Sequence, residues 1–392
     1  MTASQKSAKR PSTSTPTAPI KALLKEPEQD PCPEAIMLER LTDTALRANA
    51  LFDIEVVPID LARRAHGGAL RGTAIKSRDP AETKLALLSL PIAIQIEKKT
   101  RKRCLGGDLS FERFDHFDLC VRSSSVGQAK FEEWCDELIN RYQKAASSGA
   151  EYICTNELGY PSFWNGRAPI SGRRESAFDF GNSLKALQQH RGEFERKLQG
   201  ISSDKECIIL PGTYHDPSTF ENIAPIVVPY EPNSTSSRKY TSGYSAGEYI
   251  KVSRVRTIPA YRNRNTVFCL LICSDAFDLN IFFRHMIDRV GSDQQKNVEI
   301  FFVPSYYGKD SARRNSMLQA CEQLSWITGS IVIFVDHFIS PGEICKAVFM
   351  CGKRVWHCSE KYVSFYTINW KEFHGILSEW SEIRNKMFAR RM

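Results

Sequence analysis

From residue 109 onward, short apolar runs alternate with stretches whose apolar residues recur at helical spacing. This alternation constrains the fold more than any other feature. Phe117–Val121 reads as a strand. Phe131, Trp134, Cys135, Leu138, Ile139, Tyr142, Ala145 and Ala146 then line one helical face, and Gly149 ends the helix. Glu151–Thr155 is the next strand. A strand–helix–strand unit of this kind belongs to a sheet covered by helices. The pattern continues with a helix over Phe180–Ile201 and strands over Cys207–Gly212 and Ile223–Tyr230. Thr266–Cys273 is a strand apolar almost throughout, followed by a strand at Val298–Pro304, a helix at Arg313–Ile327 and a strand at Ser330–Val335. Strands at Ala347–Met350 and Val363–Ile368 and a helix from Trp370 close the chain. The expected class is mixed α/β, without internal repeats.

The region before residue 109 reads differently. Residues 1–30 are rich in Ser, Thr, Pro and Lys, and form an expected disordered tail. Residues 31–108 are expected to be an N-terminal extension of unassigned role, with a helix around Ala35–Leu51 and apolar stretches at Ile54–Leu61 and Lys84–Ile96. Residues 109–392 are expected to be the main domain. Lys98, Lys99, Arg101, Lys102 and Arg103 read as a solvated linker, with a nucleic-acid contact as the sharper alternative. No aromatic residue is interleaved with these charges, so nucleic acid is only weakly supported as a partner.

Composition narrows the classes. No stretch approaches 18 consecutive apolar residues, so no membrane span is expected. The polar start of the chain lacks the apolar stretch of a secretion signal, which predicts a cytoplasmic protein. The 12 cysteines are scattered, without paired zinc spacings, and most are expected to be reduced, buried and inert. A site built from Cys351, His357 and Cys358 has irregular spacing, and no metal is expected. The net charge of +8 is modest for 392 residues and identifies no partner.

Three segments place a reactive side chain at or near the end of an apolar strand, where sheet enzymes build their sites. They are GAEYICTNELGYPSFW (149–164), SSRKYTSGYSAGE (236–248) and VFCLLICSDAFD (267–278). Cys273 ends its strand, and the N–H groups that follow are suited to hold an oxyanion. Taken alone, it reads first as a buried core thiol. Cys269 shares its parity but lies mid-strand and is expected to be inert. Glu157 stands on an otherwise apolar sheet edge, where a carboxylate is costly unless paired or functional. Lys239, in a Ser- and Tyr-rich loop, reads by itself as a solvated lysine.

The ordered set is more informative than its members. NELGYP, SRKYT and LLICSDAFD, in this order, resemble the glutamate, lysine and cysteine motifs of the nitrilase, or carbon–nitrogen hydrolase, superfamily. VEIFFVPSYYG and the helix carrying Ala320, Cys321 and Glu322 resemble the segments that follow, and Phe117–Gly149 resembles the opening strand and helix. Two positions depart from the pattern. Asn156 stands where a proline is usual, and Ser237 where a tyrosine is usual.

The resemblance implies a four-layer α-β-β-α sandwich, a homodimer or larger homo-oligomer, and no cofactor. It implies a hydrolase acting on a small-molecule amide, ahead of a nitrile, with Glu157, Lys239 and Cys273 as catalytic residues. Glu248 and the backbone N–H of Ser274 would support them. Tyr160, Trp164 and His215 are weaker substrate-contact candidates, with Phe163 beside them. Arg313 and Arg314 would either meet a substrate carboxylate or cap surface charge. The alternative is a nitrilase-like fold used for binding or regulation, with its activity lost or altered.

Overall fold

The computed structural model describes residues 53–59, 81–90, 92–98, 101–104, 109–114, 118–120, 125–160, 181–215, 221–231, 235–240, 257–263, 266–277, 298–307 and 311–389. All fall in one compact unit, Thr44–Met392. The first strands are β1 (Asp53–Ile59), β2 (Glu82–Ser89), β3 (Ile92–Lys98), β4 (Arg101–Cys104), β5 (Leu109–Phe114) and β6 (Asp118–Cys120). Helix α1 (Ser125–Ser147), β7 (Tyr152–Thr155), α2 (Gly181–Lys205) and β8 (Ile208–Leu210) follow. Next come β9 (Tyr214–His215), β10 (Asn222–Ile226), β11 (Thr235–Arg238), β12 (Thr257–Asn263) and β13 (Thr266–Leu270). The chain continues through β14 (Ile300–Ser305), α3 (Ser311–Thr328), β15 (Ile331–Asp336), β16 (Lys346–Met350), β17 (Lys353–Cys358), β18 (Tyr362–Asn369) and α4 (Trp370–Ala389).

Two sheets form the centre. The larger runs β1-β12-β13-β14-β15-β16-β17, and the smaller runs β18-β2-β7-β8. Within the larger, β13, β14 and β15 are parallel. Their sequences, TVFCL, IFFVPS and IVIFVD, are nearly continuous apolar runs, as strands covered on both faces must be. In the smaller sheet the side chains alternate between two cores. Leu85, Leu87, Tyr152, Cys154, Ile208 and Leu210 face the larger sheet. Ala86, Leu88, Ile153 and Ile209 face α1 and α2, meeting Leu138, Tyr142, Phe194 and Leu198. On the far side, α3 covers the larger sheet with Met317, Leu318, Cys321 and Leu324. The layers are therefore α-β-β-α.

An aromatic triangle joins the two sheets. The Tyr152 ring lies 5.4 Å from Phe268 and 5.6 Å from Phe302, and those two meet edge-on at 5.9 Å. Asn263 Nδ2 donates to the Tyr152 hydroxyl at 3.0 Å, so the buried phenol is satisfied.

The boundary read at residue 109 cuts through this architecture. Glu82–Ser89, placed by sequence in the extension, is an interior strand of the smaller sheet, parallel to β7 and antiparallel to β18. Asp53–Ile59 adds an edge to the larger sheet beside β12. The strand read at Phe117–Val121 is present as β6, but it pairs with β5 in another sheet, and the last strand of the smaller sheet before α1 is β2. Strands β3 to β6 instead build a separate sheet, β4-β3-β5-β6, inserted in sequence between β2 and α1. The basic run is not a linker: Lys98 and Arg101 close the β3–β4 hairpin. The reason is physical. A strand covered on both faces shows no period-two alternation, so LALLSL at 85–90 carried no strand signature beyond its apolarity. The helix expected at Ala35–Leu51 and the tail at 1–30 lie outside the described residues. Among the described residues, no helix is long and apolar enough to cross a membrane.

Because Phe268 is central to both sheets, Phe268→Ala is expected to cost about 3–5 kcal/mol. Urea unfolding of the two proteins measures this difference.

Candidate active site

Glu157 lies two residues beyond β7, in a turn pressed hard against its surroundings. Leu158 adopts φ 61° there. A Cβ on Gly159 would come within 2.6 Å of Thr155 Cγ2, and one on Gly212 within 2.5 Å of the Asn156 carbonyl oxygen. Only glycine fits such approaches. Asn156 fastens the turn. Its Oδ1 accepts the Leu90 N–H at 2.8 Å, and its Nδ2 donates to the Glu157 carbonyl at 2.8 Å. Asn156 also donates its backbone N–H to the Leu88 carbonyl, as a proline cannot. The departure from the superfamily pattern therefore ties the carboxylate-bearing turn to the end of β2.

Lys239 follows β11, which pairs antiparallel with β10. Its backbone N–H donates to the Asn222 carbonyl at 2.9 Å. Its Nζ donates to Glu157 Oε1 at 2.9 Å, and Asn222 Nδ2 donates to the same oxygen at 2.9 Å. Both charged residues are buried, Lys239 at 2% exposure and Glu157 at 3%. The sequence reading of Lys239 as a solvated lysine is thus excluded. The second departure also has a structural use. Ser237 Oγ donates to the Leu270 carbonyl at 3.1 Å, joining the lysine strand to the strand that leads to Cys273.

Cys273 begins a 3-10 helix, Cys273–Phe277, just past β13. Its φ is 48°, in the left-handed region that a side chain adopts only at a cost. Asp275 holds this turn. Its buried carboxylate accepts the Ile272 N–H at 3.2 Å and the Tyr240 N–H at 3.0 Å, so one side chain links the cysteine turn to the lysine loop.

The thiol is pushed well above its ordinary range, first by burial and then by the Glu157 charge. The Lys239 charge opposes this, as do hydrogen bonds from the Tyr307 hydroxyl and the Tyr306 backbone.

The remaining candidates separate. Ser274 is half-buried in the same 3-10 helix. His215 lies in β9, opposite Asn222. Tyr160 belongs to the helix-facing core, where its hydroxyl donates to Glu195 at 2.6 Å. Those contacts are accounted for by packing. Arg313 is exposed, whereas Arg314 is 1% exposed and donates to the buried Asp336 Oδ2 at 2.7 Å and to the more exposed Glu343 Oε2 at 3.3 Å. Cys269 is buried mid-strand in the inter-sheet core, with its thiol raised by burial. Trp164, Phe163 and Glu248 lie outside the described residues.

Sequence reasoning missed Asn222, Tyr306 and Tyr307. The tyrosines stand just past β14, so the strand-end logic that singled out Cys273 applies to them equally. Asn222 had only the weak signal of a polar amide heading an apolar strand.

Replacing Asn156 by alanine would leave the buried Leu90 N–H without its side-chain acceptor. A loss of about 1–3 kcal/mol is expected, read by chemical denaturation.

No family profile and no curated protein matches the chain by sequence. Solved structures do match. A carbon–nitrogen hydrolase superfamily protein from Xanthomonas campestris, with an arsenic adduct in its active site, aligns at a TM-score of 0.50 and 12% identity, covering 79% of this chain and 97% of that one. An amidase from Nesterenkonia sp. aligns at 0.43 and 12% identity, covering 72% and 90%. The glutamine-dependent NAD+ synthetase from Acinetobacter baumannii aligns at 0.48 and 10% identity over 74% of this chain, which spans only 46% of that protein's length. With its α-β-β-α layers and the match to the Xanthomonas protein, the chain has the fold of the nitrilase, or carbon–nitrogen hydrolase, superfamily.

Proposed function

We propose that this protein is a hydrolase that cleaves a non-peptide carbon–nitrogen bond through a thioester on Cys273. The observation that carries the reading is the buried ion pair between Lys239 and Glu157, 2.9 Å long, with both charges acting on the Cys273 thiol. Burying two charges is expensive, and a binding surface has no need of that expense beside a thiol.

The chemistry follows from the proton inventory. Burial and the Glu157 charge disfavour the thiolate, so on this reading the thiol loses its proton as it attacks. Glu157 is the base in reach. It takes the proton as the carbon–sulfur bond forms and the carbonyl electron pair moves to oxygen. Lys239 and the N–H of Ser274 stabilise that oxyanion. The intermediate collapses, the carbon–nitrogen bond breaks, and Glu157 returns the proton to the leaving nitrogen. Glu157 then takes a proton from water, which attacks the thioester. The acid departs, and the proton passes to the sulfur.

An amide is favoured over a nitrile, because a bent carbonyl needs no special pocket for a linear group. The purified protein is expected to release ammonia from one or more small amides in a panel that also includes carbamoyl compounds and nitriles. Cys273→Ala should abolish that release. If Cys273→Ala hydrolyses its substrate as fast as the parent, the thioester route is wrong.

The charges on Cys273 give a second test. Alkylation of the thiol by iodoacetamide should keep accelerating as pH rises through 9, without a plateau near neutrality. Glu157→Gln keeps the shape but removes the charge that opposes ionisation. It should therefore alkylate faster at a given pH while turnover falls by about 10²–10⁴-fold. Equal turnover in the glutamine variant would refute the base assignment.

A further inference from the structure

The inserted sheet β4-β3-β5-β6 sorts its charges by face. Residues opposite one another on neighbouring strands share a face, and successive residues along a strand alternate between faces. In the β3–β4 hairpin, Ile96 pairs with Arg103 and Lys98 with Arg101. In the parallel β3–β5 pair, Ile94 lies opposite Phe111 and Ile96 opposite Arg113. Lys98, Arg101, Arg103, Arg113 and Phe111 therefore fall on one face. The carboxylate residues of these strands, Glu97, Glu112 and Asp118, fall on the other, with Lys102. One face thus carries four of the five basic residues of the four strands and none of their acids.

This segregation is not visible along the chain, where Glu97 directly precedes Lys98 and Glu112 directly precedes Arg113. Only the strand register separates them. Arg101 and Arg103 stand two residues apart on β4, about 7 Å. Arg103 and Arg113 stand two strands apart, about 10 Å. A polyanion crossing the sheet meets one cation after another. The basic run also lacks an interleaved aromatic in sequence, and the register supplies one from another strand. Phe111 occupies the same face as Arg113, two residues before it on β5.

The face is separate from the Cys273 site. β6 is the edge of the inserted sheet that lies beside β9, and β4 is the opposite edge. The basic hairpin strand is three strand spacings from β6, about 14 Å. An anion held there is not the small substrate of the hydrolase, and the inference is independent of that reading.

We propose that this face of the inserted sheet is a docking surface for single-stranded nucleic acid, with Lys98, Arg101, Arg103 and Arg113 for its phosphates and Phe111 as the stacking partner of a base. A group of cations without carboxylates complements a phosphodiester backbone. An aromatic on the same face complements an unpaired base, whose flat surface a duplex keeps covered. Single-stranded DNA and RNA share this chemistry.

The test is fluorescence anisotropy of the full chain with labelled single-stranded DNA and RNA of about 16 nucleotides, repeated at increasing salt. Binding is expected, with log K falling against log salt at a slope of about −3, or about −0.7 for each cation. Arg101→Gln, Arg103→Gln and Arg113→Gln should each flatten the slope by about 0.7, and together weaken binding about tenfold or more at 0.1 M salt. Lys102→Gln removes the same charge from the opposite face and should leave the slope in place. Arg113→Lys should also keep the slope, which separates a lost charge from a disturbed sheet. Phe111→Ala should weaken single-strand binding about tenfold and duplex binding less. Binding of DNA, of RNA or of both supports the proposal, and the two arms identify the ligand. No salt-dependent binding at about 50 mM salt overturns it. So does a slope that Lys102→Gln flattens as much as Arg103→Gln. Duplex bound as tightly as single strand, with Phe111→Ala silent, overturns the single-strand assignment. Anionic phospholipid vesicles bound in place of the oligonucleotides would mean a membrane surface instead.

Discussion

The ion pair between Glu157 and Lys239 is the interaction around which the molecule is organised. Two opposite charges at 1% and 5% side-chain exposure are tolerable only if geometry and hydrogen bonding offset their lost hydration. Removing either partner alone would strand a buried charge, at about 3–5 kcal/mol. The surrounding structure supplies what the pair needs. Asn222 gives one hydrogen bond to the carboxylate from its side chain and accepts one from the Lys239 backbone, so a single residue sets the spacing of the two charges. β9 and β11 flank β10 and hold Asn222 in place. The small three-stranded sheet is best understood as the frame of this pair.

The cysteine is fastened to the same frame by independent ties. Ser237 bonds the β13 backbone, and Asp275 bonds the lysine loop. Each tie joins the Lys239 segment to the Cys273 segment, and neither involves the ion pair itself. Positions of the three side chains are thus over-determined, which is the condition for holding Cys273 at φ 48°. The two departures from the superfamily pattern belong to this system. Asn156 and Ser237 each bridge a site-bearing segment to a core strand.

Much of the fold was legible because helices and strands leave different periods. The helix over Phe131–Ala146, the buried strands at 266, 298 and 331, and the C-terminal helix all appear where their patterns put them. β2 is an apolar run like β13, β14 and β15, but it stands ahead of the stretch where such runs alternate with helical patterns, so an interior strand was assigned to an extension, and the inserted sheet β4-β3-β5-β6 went unrecognised. The three candidate residues were singled out through their order along the chain. Their supporting residues were not, because a second layer is defined by contacts across long sequence separations. Asn222 reaches back 65 residues to Glu157, and Arg314 forward 22 to Asp336. No local pattern encodes such distances.

If Cys273 is the nucleophile proposed above, its burial gives a reason for a glutamate base rather than a histidine. A cysteine–histidine pair works by storing charge: the thiolate and imidazolium exist before substrate arrives. That arrangement needs a polar surrounding, because it places a second ion pair beside the first. Here Cys273 is 7% exposed, and an ion pair already occupies the neighbourhood. Adding another would multiply the desolvation cost. On the proposed hydrolase reading, a thiol kept neutral avoids it, and charge develops on sulfur only during bond making and breaking.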